Sequence, residues 1–200
     1  MSPDVVVGNV FDKYGSRNPL YRRVMERYFR RLEELLRRTQ ARRLLEVGCG
    51  EGFVSGWWSR RALGKQVFGA DLSAPMLGEA SREHPAVRFV AANAYSLPFP
   101  DGSFDLVLCL EILEHLEQPQ DALREARRVS NQLLIASVPN EPIWRLLNLA
   151  RGAYWIRLGN TPGHVQHWNR RGFTDLLRRS WVVREVATPF PWTMALCSRE

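Results

Sequence analysis

Lysine is almost absent from this chain: Lys13 and Lys65 are the only two, so arginine supplies nearly all of the 28 basic residues. Against 21 acidic residues this leaves a net charge of +7, a balance that suits nucleic acid, an anionic membrane surface or an acidic substrate. The placement of the charge weakens all three. Arg22, Arg23, Arg27, Arg30, Arg31, Arg37 and Arg38 are interleaved with Val24, Met25, Tyr28, Phe29, Leu32, Leu35 and Leu36 at helical period. That pattern predicts a helix with one apolar stripe packed on the domain and arginines on its solvated faces; an anion-binding or membrane-facing role is the alternative. No nucleic-acid motif accompanies the charge, so nucleic acid is an unfavoured partner.

Cysteine is scarce as well. Cys49, Cys109 and Cys197 show no paired spacing and no Cys-x-x-Cys, which predicts small buried hydrophobes in a reducing compartment and neither disulfides nor a metal. No apolar run is long enough to span a bilayer, and Met1 to Gly8 lacks the basic start and apolar core of a secretory signal, so a cytoplasmic location is expected. Repeats and low-complexity tracts are missing too. Two hundred residues, 45% of them hydrophobic, suffice for one α/β domain with a full core.

What is present is more specific. Leu44-Leu45-Glu46-Val47-Gly48-Cys49-Gly50-Glu51-Gly52-Phe53 reads as an apolar strand running into a glycine loop that opens a helix, predicted to extend to about Leu63. Glycine lets the backbone take positive φ and approach a ligand, and the helix start points free N–H groups at it. The dinucleotide pattern Gly-x-Gly-x-x-Gly fails because Phe53 occupies its last glycine position, which disfavours a nicotinamide oxidoreductase. A second apolar run, Val67 to Ala70, ends in Asp71, about twenty residues on, where an open α/β sheet places an acid that holds ribose hydroxyls. Further strands, Val87 to Ala91 and Phe104 to Leu110, end at Asn93-Ala94 and Glu111.

With these segments the chain resembles the class I S-adenosylmethionine-dependent methyltransferases, in particular the ubiquinone/menaquinone-type (type 11) group. The resemblance covers Leu44 to Pro139. Besides the glycine loop it rests on Gly69-Ala70-Asp71-Leu72-Ser73 with Met76, on Leu97 to Val107, and on Glu111-Ile112-Leu113-Glu114-His115-Leu116. It implies a single Rossmann-like α/β domain: a seven-stranded, mostly parallel sheet with helices on both faces and an antiparallel last strand. It also implies S-adenosyl-L-methionine as cofactor. Gly48 and Gly50 would then pass beside the methionine moiety, Glu46 would orient its ammonium group and Asp71 would take the ribose. Leu72 and Met76 would flank the adenine, Asn93 would meet its amine where many relatives carry Asp, and the backbone at Ala94 and Leu110 would complete the site.

Around this half, residues 44–139, the sequence sets more variable pieces. Residues 1–43 read as a lid segment and helix, with Tyr14 and Phe11 as candidates to cover the sulfonium and Arg17 or Asn18 to fix the lid. Residues 140–168 follow a fifth strand, Leu133 to Val138, and are too long for an ordinary connection, which suggests a substrate cap; Ile143, Leu146, Leu147 and Ala150 share one helical face there. Residues 169–200 read as a helix and two closing strands. Methyl transfer needs alignment and water exclusion, and a base only if the acceptor must lose a proton. His115, His164 and His167 are the candidates by pKa, each with a structural role as the alternative. The reading is therefore O- or C-methylation of a small-molecule or lipid-linked acceptor, with peripheral membrane contact open. A catalytically silent cofactor-binding protein is the alternative, and an RNA methyltransferase is less favoured still.

Overall fold

A computed structural model describes residues 18–62, 64–150, 152, 154–155 and 158–200. Its seven strands are β1 (Arg43–Val47), β2 (Gln66–Asp71), β3 (Val87–Ala91), β4 (Phe104–Leu110), β5 (Ser130–Pro139), β6 (Val182–Ala187) and β7 (Trp192–Ser198). They form one sheet in the order β3-β2-β1-β4-β5-β7-β6. The first five are parallel, and β7 runs antiparallel between β5 and β6.

Strand period 2 divides the sheet's side chains between two cores. Leu44, Leu106, Leu108, Ile135, Trp192, Met194 and Leu196 face one cluster, which α1 (Pro19–Thr39) and α2 (Phe53–Ser59) cover. Leu45, Val47, Val107, Cys109, Leu134, Ala136 and Cys197 face the other, under α4 (Pro119–Val129) and α6 (Arg170–Arg178). Helix α3 (Ala74–Glu83) packs along β3. Helix α1 starts where the Asn18 side chain accepts from the Leu20 and Tyr21 amides, with Pro19 in the first turn, a cap that satisfies amides left without helical partners. Its predicted stripe is the packed one: Met25, Tyr28, Leu32, Leu35 and Leu36 are buried.

Two boundaries differ from the sequence expectation. Helix α2 ends at Ser59 instead of Leu63: the Ser59 hydroxyl donates back to the Gly56 carbonyl, the Arg61 amide turns to Trp58, and Gly64 takes φ +76°. Strand β5 starts earlier, at Ser130, because that residue pairs with Phe104 while the Asn131 side-chain Nδ2 donates to Asp105. The segment after β5 holds α5 (Ile143–Ala150). No helix among the described residues is long and apolar enough to cross a membrane.

Candidate cofactor and acceptor site

In this sheet the chain moves outward from β1 to β3, then returns to place β4 on the other side of β1. The carboxyl ends of β1 and β4 therefore flank a topological switch point, where open α/β sheets bind ligands. Gly48 and Gly50 leave β1 with φ +74° and +53°. A Cβ on Gly48 would overlap the Ile112 side chain, so glycine is required there by both backbone and space. The Gly48 and Cys49 amides donate to the Ala70 carbonyl, and the Gly50 amide donates to Asp71 at 2.8 Å. Asp71 also accepts from the Ser73 amide at 2.9 Å. One carboxylate thus ties the glycine loop to the end of β2 and still has lone pairs for a diol.

Glu46 sits beneath the loop, buried, and accepts a hydrogen bond from the Ser55 hydroxyl of α2. Burial pushes its carboxyl up to about 7, Ser55 pulls it back in part, and the Asp71 charge raises it further. Leu72 is 63% exposed directly after Asp71, and the Met76 methyl lies 3.4 Å from where a Cβ on Gly50 would stand, leaving apolar surface beside the Asp71 carboxylate. The Asn93 side-chain oxygen accepts from the Tyr95 amide at 3.0 Å, an Asx turn that shapes the end of β3. Its second lone pair remains for a donor. Ala94 is partly buried beside it, and Leu110 is buried at the end of β4.

Beyond β4 the backbone passes through Glu111 at φ +58°, a left-handed conformation that costs a non-glycine residue about 1 kcal/mol or more. Its carboxylate accepts from Trp192 Nε1 at 2.6 Å and from the Ser137 hydroxyl at 3.3 Å, and Ser137 is paired with the Tyr28 hydroxyl at 2.8 Å. Residues of β7 and β5, the latter backed by α1, thereby hold one carboxylate. The 3-10 turn Leu113–His115 follows. His115 Nδ1 donates to the Gly163 carbonyl at 3.0 Å, and the Val165 and Gln166 amides donate to the Glu114 carbonyl. These bonds fasten the loop that bears His164 to the end of β4.

Of the three candidate histidines, the structure brings two together: the His115 and His164 rings pack edge to face, 4.8 Å apart. His167 is held differently, its Nε2 donating to Asn160 at 2.7 Å, with burial and then the Arg145 charge depressing its pKa. Tyr14, Phe11 and Arg17 lie outside the described residues. Sequence reasoning missed Ser55, Ile112, Ser137, Tyr28 and Trp192 as parts of this end of the sheet. Their type carries no local signal; only the spacing of Ile112 after β4 could have drawn notice. The cysteines are buried as predicted, and desolvation pushes the Cys109 and Cys197 thiols up to about 12.

Comparison with known proteins agrees with this architecture. Residues 45–132 match the family described as methyltransferase domain. A malonyl-[acyl-carrier protein] O-methyltransferase of Halorhodospira halophila is 33% identical over 74% of this chain and 50% of its own length. A demethylmenaquinone methyltransferase of Thermus thermophilus is 35% identical over 58% of this chain and 56% of its own. The chain thus spans about half the length of these curated relatives. Among solved structures, the PH0226 protein of Pyrococcus horikoshii superposes with a TM-score of 0.72 at 18% identity, covering 92% of this chain and 93% of that one. It shares the fold.

Proposed function

Because the chain belongs to the class I S-adenosylmethionine-dependent methyltransferases of the type 11 group, we propose that it methylates a small-molecule or lipid-linked acceptor, at oxygen or carbon, in the cytoplasm. The cofactor supplies an electrophilic methyl group on a sulfonium. The observation that carries the reading is the pair of acids under and beside the glycine loop, Glu46 and Asp71, on adjacent strand ends. A buried carboxyl on one side suits an ammonium group, and a carboxylate bridging two loop amides on the other suits a diol.

The remaining residues divide the work by position. Leu72 and Met76 offer apolar contact and Asn93 an acceptor for an adenine; Gly48, Gly50, Ala94 and Leu110 line the backbone of the same site. His115 and His164 stand on the acceptor side, where an imidazole can take a proton from a hydroxyl or an activated carbon. Tyr14 and the segment through Asn18 serve as a lid, and residues 140–168 as the substrate cap, excluding water from the methyl group. Peripheral contact with a lipid surface is supported by α5, whose Leu146 and Leu147 face outward.

Binding of S-adenosylhomocysteine by calorimetry tests the cofactor half: one site per chain, with NAD unable to compete. Asp71→Asn keeps an acceptor for one loop amide and loses charge, so affinity should fall by about 1–3 kcal/mol. Equal affinity in the variant would remove Asp71 from the site. Transfer of labelled methyl from S-adenosylmethionine into an organic-solvent extract of cells tests the acceptor half. Tight binding with no labelled product from any extract fraction would favour a silent binding protein.

A further inference from the structure

We infer that Glu114, His115 and His164 form a divalent-metal site on the acceptor side, taking a transition-metal ion such as Mn2+, Co2+ or Zn2+ and presenting it to an oxygen of the acceptor. Each residue offers a ligand atom, and these atoms all lie within 4.8 Å of one another. An ion with bonds of about 2.0–2.2 Å draws its ligands to roughly 3–4 Å apart, so binding would bring these three atoms somewhat closer together. Glu114 is 1% exposed and His164 8%, so the ion would be held by groups already withdrawn from bulk water.

The second observation concerns orientation. A carbonyl can only accept, so the 3.0 Å bond from His115 Nδ1 to Gly163 places a proton on Nδ1 and assigns the ligating role to Nε2. Ligating histidines are oriented in this way, by donating the other ring N–H to a carbonyl or carboxylate. The third is preorganisation across sequence. The amides of Val165 and Gln166 donate to the Glu114 carbonyl at 2.9 and 3.1 Å, so the loop bearing His164 is already sewn to the turn bearing the other two ligands. Glu111, the other acid of this segment, is engaged by Trp192 and Ser137 and stands outside the set.

The donor chemistry selects the ion. Two imidazoles and one carboxylate suit Zn2+, Co2+ and Mn2+ better than Mg2+, which prefers an all-oxygen shell with several waters. Three protein ligands leave positions open, as catalytic sites do and structural sites do not. A cation there lowers the pKa of an acceptor hydroxyl, which favours oxygen over carbon as the methylated atom. Cysteine spacing, which predicts no metal, does not bear on these ligands. The metal site stands on the geometry alone; only its link to an acceptor oxygen rests on the methyltransferase reading.

The full chain, without a histidine tag and stripped by chelator, is titrated with Co2+ alone, followed by visible absorption, and with Zn2+ and Mn2+ by calorimetry. One equivalent should bind, with a visible Co2+ band. Glu114→Gln, His115→Ala and His164→Asn should each weaken binding by about 10-fold or more, while His84→Ala leaves it unchanged. Circular dichroism and S-adenosylhomocysteine affinity are measured on every preparation. A wild-type protein that binds S-adenosylhomocysteine but no stoichiometric metal overturns the metal site and leaves the methyltransferase reading intact. Metal binding that persists undiminished in folded His115→Ala overturns it too. Stoichiometric metal without S-adenosylhomocysteine binding would instead strike at the cofactor reading.

Discussion

Glu46 is held between two demands. Burial raises its carboxyl from an ordinary value near 4.5 to about 7. Below about pH 4.5 the group is protonated in both folded and unfolded chains and contributes nothing to the balance. Between 4.5 and 7 the unfolded chain ionises first, so folding stability is lost as pH rises, by on the order of 3 kcal/mol once both are ionised. A bound ammonium reverses the preference and favours the ionised form. S-adenosylhomocysteine should therefore bind with proton release near pH 6, and its affinity should rise with pH until about 7. Glu46→Gln should abolish that release, raise stability at pH 8 and weaken binding there. Calorimetry in buffers of different ionisation enthalpy, with urea unfolding at pH 5 and 8, measures all three; undiminished proton release in the variant would assign the titration elsewhere. The acid at this position is visible in the sequence, but Ser55 is not, because the contact depends on how α2 lies over β1.

Helices α1 and α5 carry the same kind of pattern with opposite outcomes. In α1 the apolar stripe turns inward, against Trp192 and Leu108 in one core. In α5 the apolar face turns outward: Leu146 is 62% exposed and Leu147 38%, whereas Asn148 is buried, donating to the Gly159 carbonyl at 2.7 Å and to Thr161 at 3.1 Å. The Gly159 carbonyl and the Thr161 hydroxyl need a polar partner, and that local demand turns Asn148 inward. Trp155 and Leu158 are also exposed, so this segment presents a small apolar surface, on which the proposed lipid contact rests. Leu146→Asp with Leu147→Asp should leave the melting temperature within a few degrees and cut co-sedimentation with anionic lipid vesicles several-fold. Equal sedimentation of the double variant would mean that another face meets lipid, or none does.

Across the whole molecule the two ends of the sheet differ in kind. The carboxyl ends of β1 to β4 carry the glycine loop, Asp71, Asn93 and Glu111. At the amino ends of β4 and β5 lies a groove of about 700 Å3 lined by Arg124, Arg127, Arg128, Arg178, Arg179 and Trp181. Some of these arginines serve as braces. Arg128 binds Glu125, Asp101 and the carbonyls of Leu97 and Phe99, while Arg127 stacks on Trp181 and donates to the Arg199 carbonyl. Part of the chain's positive charge is thereby used internally. Hydrogen exchange with S-adenosylhomocysteine should show protection at Gly48–Phe53, Asp71–Ser73 and Asn93–Tyr95, and none at the arginine groove. Protection centred on the groove would place the ligand at the wrong end of this sheet.

The sequence by itself determined the strand, glycine loop and helix from Leu44 onward, the acid at the end of β2, and the stripe of α1. Each is written in neighbouring residues, where backbone freedom, period and spacing act locally. Only the tertiary structure decided that His164 joins His115 while His167 turns to Asn160, that Tyr28 and Ser137 share a hydrogen bond at a separation of 109 residues, and that α5 buries an asparagine instead of its leucines. Those outcomes depend on which surfaces meet once the sheet is assembled, and on satisfying buried polar groups at that meeting.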